Sequence, residues 1–358
     1  DQDRQTTPQG ISCIQTIRRD RQLISFVEER QNMNLKVSSS PHIKDNATTG
    51  RVMLNVIAAL MPALAASAYF FGLRVILMVA VTIAASVFFE YLSRKIMKRD
   101  NTAHDLSAVV TGLLLAFTLS PATPVWICIL GAFIAIVVAK QMFGGIGSNF
   151  VNPAILARIV LAVSFPVQIG SWKMAAIPGG AFDSIADSLS GADLVSSATP
   201  LGMLASGATD LPSYLDLFLG NQAGSLGEVS VIALLLGGVY LILRGIIKVW
   251  IPLSFIAGTV LTVLISGGDP LYHLLSGGLI LGAFFMATDY VTSPLTNSGK
   301  VIFGLGCGLI TALIRIYGNL PEGVAFSILV MNIITPHIDN MTVPVPFGGG
   351  KKSDKQRA

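Results

Sequence analysis

From Arg51 onward the chain repeats one pattern, an apolar run of about 17–22 residues and then a short polar or glycine- and proline-rich break. A helix of that length spans a ~30 Å hydrocarbon core. The pattern predicts helices near 52–72, 75–93, 106–121, 125–143, 153–170, 226–244, 248–267, 271–289, 299–317 and 321–338. Five precede a long polar loop at 171–225 and five follow it. A polar segment at 1–50 and a basic tail at 339–358 flank the two five-helix halves, 51–170 and 226–338. The predicted fold class is an all-α polytopic integral membrane protein of about ten helices.

The halves resemble each other. His104-Asp105-Leu106-Ser107 lines up with His273-Leu274-Leu275-Ser276 at an offset of 169, and Pro153 with Pro321 at 168. The breaks at Ser120-Pro121-Ala122-Thr123-Pro124 and Thr292-Ser293-Pro294 occupy matching places. Five is odd, so the second half must be inserted upside down relative to the first. Inverted repeats of this kind gather functional sites at their interface.

Composition narrows the class. The chain is 52% hydrophobic and only 12% charged, against roughly 25% charged in a soluble domain. Its mean hydropathy is +0.68. A water-soluble globule and a disordered chain are both excluded. Three cysteines without CxxC or His-rich spacing leave no disulfide framework and no zinc or iron–sulfur motif. The net charge of +4 reflects Lys and Arg held at the cytoplasmic face, not a nucleic-acid partner. With both termini cytoplasmic, Lys36, Lys44, Arg51, the Arg94, Lys95, Lys98 and Arg99 cluster, Arg244, Lys248 and the basic tail lie inside. Loop 171–225 has Lys173 against Asp183, Asp187, Asp193, Asp210 and Asp216, and falls outside. Residues 1–50 lack the apolar core of a signal peptide. Met33 makes a natural start, and the codons for Glu28-Glu29-Arg30 can resemble a ribosome-binding site, so residues 1–32 are expected to be translated leader.

The external loop carries the most specific signal, Asp193-Leu194-Val195-Ser196-Ser197-Ala198-Thr199-Pro200-Leu201. This D-x-x-S-S-A-T-P-L run resembles D-x-x-[ST]-G-A-T, the target of the flavin transferase that esterifies a threonine hydroxyl with the phosphate of FMN. Thr199 supplies the hydroxyl, and Ser196, Ser197 and Ala198 are small enough for an enzyme to reach the backbone. Asp193 opens the recognition run, and Pro200 disfavours helix at the acceptor. Ser197 stands where Gly is usual. A rival acceptor, Thr209 in Ser206-Gly207-Ala208-Thr209, keeps the Gly but has Met203 where Asp is needed and Asp210 after it.

Other segments extend the likeness: Ser40-Pro41-His42-Ile43, the run Lys140-Gln141-Met142-Phe143-Gly144-Gly145-Ile146-Gly147-Ser148-Asn149-Phe150-Val151-Asn152-Pro153-Ala154, and Phe285-Met286-Ala287-Thr288-Asp289-Tyr290-Val291-Thr292-Ser293-Pro294. Gly306-Cys307-Gly308 and Pro321-Glu322-Gly323 complete the set. Over residues 39 to 340 the chain resembles the RnfD family, the D component of the Rnf complex, which moves electrons between ferredoxin and NAD and couples this to ion translocation. The B component of the sodium-translocating NADH:quinone reductase is related, but the short N-terminal region here fits Rnf better. The resemblance implies covalent FMN on Thr199 and a second flavin, such as riboflavin, in the membrane part. It implies assembly with the A, B, C, E and G components of an Rnf-type complex in a bacterial plasma membrane, modification by a flavin transferase, and Na⁺ or H⁺ as the transported ion. No nucleotide-binding fingerprint or iron–sulfur motif occurs in the sequence, so ferredoxin and NAD must dock elsewhere and the chain is catalytically incomplete alone. Two alternatives stand beside this, a solute channel or secondary transporter and a redox-silent membrane scaffold.

Ionisable and polar residues within the spans are further candidates. Asp289 suits a passing cation or a flavin ring, or else caps a helix break. Arg158, one turn into the fifth span, needs a partner or a phosphate. The Gly-rich breach carrying Asn149 and Asn152 either holds flavin or allows close packing. Lys140 and Arg315 are expected to snorkel to headgroups. Glu90 is expected to pair with Arg94 along its own helix. Cys128 and Cys307 are expected to pack as small apolar groups, and His42, His104, His273 and His337 to be solvated at helix ends.

Overall fold

A computed structural model describes residues 48–99, 105–172, 198–208, 211–318 and 322–344, and among them there is helix but no strand. The first part comprises α1 (Thr49–Phe71), α2 (Leu73–Ile96), α3 (Ser107–Phe117), α4 (Val125–Phe133, continuing in π-helical turns to Gln141), α5 (Pro153–Ser164) and α6 (Pro166–Ile169). Two short helices, α7 (Pro200–Ala205) and α8 (Tyr214–Leu219), fall in the long loop. The second part comprises α9 (Val231–Leu243), α10 (Trp250–Ile265), α11 (Pro270–Leu275), α12 (Leu279–Leu281, continuing in π-helical turns to Met286), α13 (Asn297–Tyr317) and α14 (Val324–Thr342).

Among the described residues α1, α2, α13 and α14 are long and apolar enough to cross a membrane, and α3, α4, α5, α9 and α10 are shorter apolar helices. At most 44% of the apolar stretch of any of the four is buried within the chain. The exposed remainder carries Leu54, Phe88, Ile302 and Ile333. Apolar faces this extensive suit contact with lipid rather than water. Inside, small residues let backbones approach. Along the α10–α13 seam, a Cβ on Gly258 would sit 2.8 Å from the Leu305 carbonyl oxygen, and one on Gly308 would overlap the Phe255 carbonyl. This is the small-residue packing by which helices associate in lipid, where apolar burial supplies no net drive.

Helix falls within each expected segment, although among the described residues only four helices are long and apolar enough to cross a membrane, and two boundaries need correction. Helix of the sixth begins at Val231, not at 226. Residues 222–229 are instead an irregular, buried segment, and its Leu226 and Gly227 amides donate to the Leu119 and Phe117 carbonyls at 3.0 and 2.8 Å. These bonds satisfy backbone that burial would otherwise penalise. The eighth span is interrupted between α11 and α12 at Ser276-Gly277-Gly278, where Gly277 adopts φ +68°. The breaks after α3 and α12 are non-helical, as the sequence predicts. The N-terminal segment with Met33 and His42, together with His104, Lys173, Asp193, Ser196, Ser197, Thr209, Pro321 and the tail from residue 345, lies outside the described residues.

Candidate functional site

Thr199 is where a loop becomes a helix. Its backbone is extended (φ −67°, ψ 154°), Pro200 takes the first helical position of α7, and the Thr199 hydroxyl oxygen accepts from the Gly202 amide at 3.1 Å. A hydroxyl at this position satisfies one of the amides a helix start leaves without a partner. Pro200 supplies a preset φ and has no amide to waste. The helix is anchored by buried Leu201 and by the Tyr272 hydroxyl, which donates to the Pro200 carbonyl at 3.4 Å. Ala198 faces outward, whereas Thr199 is 8% exposed.

Behind Thr199 lies a cavity of about 250 Å³, open mouth included, whose walls include Gln222, Glu228, Gly277 and Glu322. Most of that space is its open mouth, and its enclosed part holds no more than a water-sized group, so a flavin nucleotide does not fit inside it. The walls are charged. Glu228 is buried and shares the cavity wall with Glu322. Arg158 Nη2 stands 3.9 Å from Glu322 Oε2. Arg315, also buried, donates through Nη1 to the His273 carbonyl at 2.5 Å and through Nη2 to the Ser276 carbonyl at 3.2 Å. Arg315 therefore closes the carbonyls left open where the eighth span breaks. Gly278 lies close against Glu228, whose Oε1 would have to shift to admit a Cβ there.

The remaining polar candidates separate into two places. Asn152 caps α5 and donates through Nδ2 to the Met286 carbonyl at 3.1 Å, tying the breach after α4 to the end of α12. Asn149 is within hydrogen-bonding reach of Asp289, which also accepts from the Val291 amide at 3.4 Å and the Thr292 hydroxyl at 3.2 Å. Asn149, Asn152 and Asp289 thus meet where two non-helical segments pack. Arg158 is six residues along α5 and belongs with Glu322.

Several expectations are overturned. Lys140 and Arg315 do not snorkel. Lys140 is 3% exposed and its ammonium donates to Glu90 Oε1 at 2.8 Å and Ser107 Oγ at 2.7 Å. Gln141 adds a bond to the same Glu90 oxygen at 3.0 Å, so Glu90 reaches across from α2 to α4. A buried carboxylate favours such an enclosed partner over a snorkelling one, because its desolvation must be offset on the spot. His273 is not solvated; it is buried, with its carbonyl on Arg315. His337 is exposed, and Cys128 and Cys307 are buried, as expected. The expectations passed over Glu228, Gln222 and the role of Glu322. Two of these are acidic residues at the heads of apolar runs, a signal that an intramembrane-charge criterion registers.

The model of the NQR2, RnfD, RnfE family matches residues 36–348. The chain belongs to this family. Among its relatives is the D component of the Na(+)-translocating ferredoxin:NAD(+) oxidoreductase complex of Acetobacterium woodii, 46% identical over 329 residues that cover 91% of this chain and 99% of the relative. The D component of the proton-translocating ferredoxin:NAD(+) oxidoreductase complex of Clostridium ljungdahlii is 43% identical, covering 87% of this chain and 96% of its own. The corresponding component of the ion-translocating oxidoreductase complex of Vibrio cholerae serotype O1 is 38% identical, covering 87% and 99%. Family membership therefore extends over both halves and the loop that carries Thr199.

Proposed function

We propose that the chain is the membrane subunit of an ion-translocating ferredoxin:NAD oxidoreductase and carries electrons through FMN esterified to Thr199. The observation that carries this reading is the placement of the Thr199 hydroxyl, on extended backbone ahead of Pro200, at the mouth of a small cavity that Glu228 and Glu322 help to line. When bound, the flavin supplies one- and two-electron chemistry. The chain's own residues position it. The Gly202 amide that now donates to Thr199 is available to an ester oxygen at the same place, and Tyr272 and Leu201 hold α7 still. Asn149, Asn152 and Asp289 are the proposed contacts of a second flavin such as riboflavin.

The ten crossings and their inversion belong to the same reading. Its support is a pair of contacts at matching places. Lys140, ending α4, bonds Ser107 at the start of α3. Arg315, near the end of α13, bonds the carbonyl of Ser276, the residue 169 after Ser107. Both termini are then cytoplasmic and loop 171–225 external, as the distribution of Lys and Arg requires. The A, B, C, E and G components of the complex are its proposed partners, a flavin transferase its modifying enzyme, and Na⁺ or H⁺ its ion.

The test is in-gel flavin fluorescence of the denatured chain after co-expression with a flavin transferase. Fluorescence that survives denaturation in the wild type and vanishes in Thr199→Val is the expected result. A Thr199→Val chain that still fluoresces moves the acceptor to Thr209, and a dark wild type removes the flavin-carrier reading.

A further inference from the structure

The cavity behind Thr199 contains more polar chemistry than a tether needs. Two carboxyls, Glu228 and Glu322, line the same small cavity. Like charges so confined ionise together only where positive charge sits with them; Arg158 beside Glu322 supplies part of it, and a shared proton or a bound cation would supply the rest. A third oxygen belongs to the same lining. Gln222 lines the cavity, is 3% exposed, and its Oε1 has no hydrogen-bond partner among the described residues. A buried acceptor left so costs about 1–3 kcal/mol. One hard cation accepting lone pairs from all three groups would remove that cost, and oxygen-only donor sets suit such ions.

The charged groups around the pair set how tightly a cation would bind. Arg158 approaches Glu322 from α5 at 3.9 Å, and Arg315 from α13 is engaged by the carbonyls of His273 and Ser276. His273 lies on α11 beside Arg315. Two guanidiniums against two carboxyls keep the total near balance, so one added positive charge enters and leaves without a deep trap. Transport sites need this property. The backbone break at Ser276–Gly278 abuts Glu228, and irregular backbone beside a cavity is where transporters place ion sites.

We propose that Glu228, Glu322 and the side-chain oxygen of Gln222 form a site for one monovalent cation of sodium size, in exchange with the proton that the two carboxyls otherwise share. The inference rests on the reading of the chain as part of an ion-translocating complex, but not on flavin at Thr199. Exchange of this kind lets one architecture serve either ion.

Dicyclohexylcarbodiimide adds to protonated carboxyls in apolar surroundings, and peptide mass spectrometry locates the adduct. The full chain in nanodiscs is labelled in sodium chloride and in choline chloride of equal ionic strength, and retention of radioactive sodium is measured in parallel. The expected result is adduct on Glu228 or Glu322 that sodium, but not choline, suppresses several-fold. Gln222→Leu, which leaves both carboxyls in place, should keep the adduct and lose most of the sodium protection. Glu322→Gln should lose a sodium ion per chain. Equal adduct in the two salts overturns the proposal, since the pair then holds a proton only. So does sodium retention unchanged in both variants, whatever the labelling. Denatured-gel fluorescence of the same samples reports Thr199 separately, so failure of the cation site and failure of the flavin tether are distinguishable.

Discussion

Two buried charge clusters in this chain are built to opposite specifications. Around Glu90, a carboxylate, an ammonium, a hydroxyl and a carboxamide bond one another directly at 2.7–3.0 Å. Around Glu228, the described ion pair is 3.9 Å long, a cavity opens beside it, and Gln222 Oε1 is left unmatched. The first is held by short direct bonds and joins α2, α3 and α4, although Gln141 Oε1 has no hydrogen-bond partner among the described residues. The second joins α5, α11, α13 and the loop ahead of α9 through a longer contact beside open space. Short charge-assisted bonds fix a structure, whereas a longer pair beside a cavity leaves room for a further group.

The largest effect is expected where the bonds are shortest and most buried. Lys140→Met leaves the Glu90 carboxylate buried without its ammonium and should cost about 3–5 kcal/mol, seen as a large fall in the thermal unfolding midpoint in detergent. Glu90→Gln combined with Lys140→Met should restore much of the loss, because removing both charges removes the uncompensated one. If the double variant is no better than the single, the cluster is not held as a closed pair.

Arg158→Met should cost less, about 1–3 kcal/mol as for a partly buried group left without its partner, because the 3.9 Å pair is too long for a hydrogen bond and the cavity lets the Glu322 side adjust. An unfolding midpoint lowered as far as in Lys140→Met would erase the contrast between the clusters. Smaller still is the Thr199 cap. Thr199→Val removes the acceptor for the Gly202 amide and should cost about 1 kcal/mol, while Thr199→Ser should retain both the cap and the flavin. Loss of fluorescence in the Val variant with near-normal stability would show that the hydroxyl is needed for chemistry more than for folding.

The smallest effect concerns pH. Asp269 accepts from the Tyr214 hydroxyl and from the Leu271 and Tyr272 amides, and these bonds hold its carboxyl below the usual range, the Tyr214 bond most strongly. A lowered carboxyl contributes stability above the ordinary aspartate value of about 3.9, and that contribution is lost as pH falls through the lower folded value. Asp269→Asn should therefore flatten the acid end of the stability profile by lowering stability slightly at neutral pH, with the least change below the aspartate range. A profile identical to wild type below about pH 4 would remove Asp269 as a source of acid sensitivity.

Apolar runs, their breaks and the helix start at Thr199 are local features, so they were legible along the chain. Thr199 is extended because Pro200 follows it, and Thr48, Asn152, Ser230 and Thr296 begin helices because their side chains accept from amides two or three residues on. Family membership was legible for the same reason, through short motifs spread over both halves. The partnerships of the charges were not. Glu90 meets Lys140 across 50 residues and Gln141 across 51, and nothing along α2 distinguishes that outcome from pairing with Arg94. Arg158 finds Glu322 from the other half of the chain. Residues 226–230 look like the head of an apolar helix, yet they fold as irregular backbone because Phe117 and Leu119 offer their carbonyls to them. Periodicity and length determined which segments are helical and which residues could carry chemistry. Only the tertiary structure decided which buried charges neutralise one another and which face a cavity, because desolvation and pairing depend on neighbours that the sequence keeps far apart.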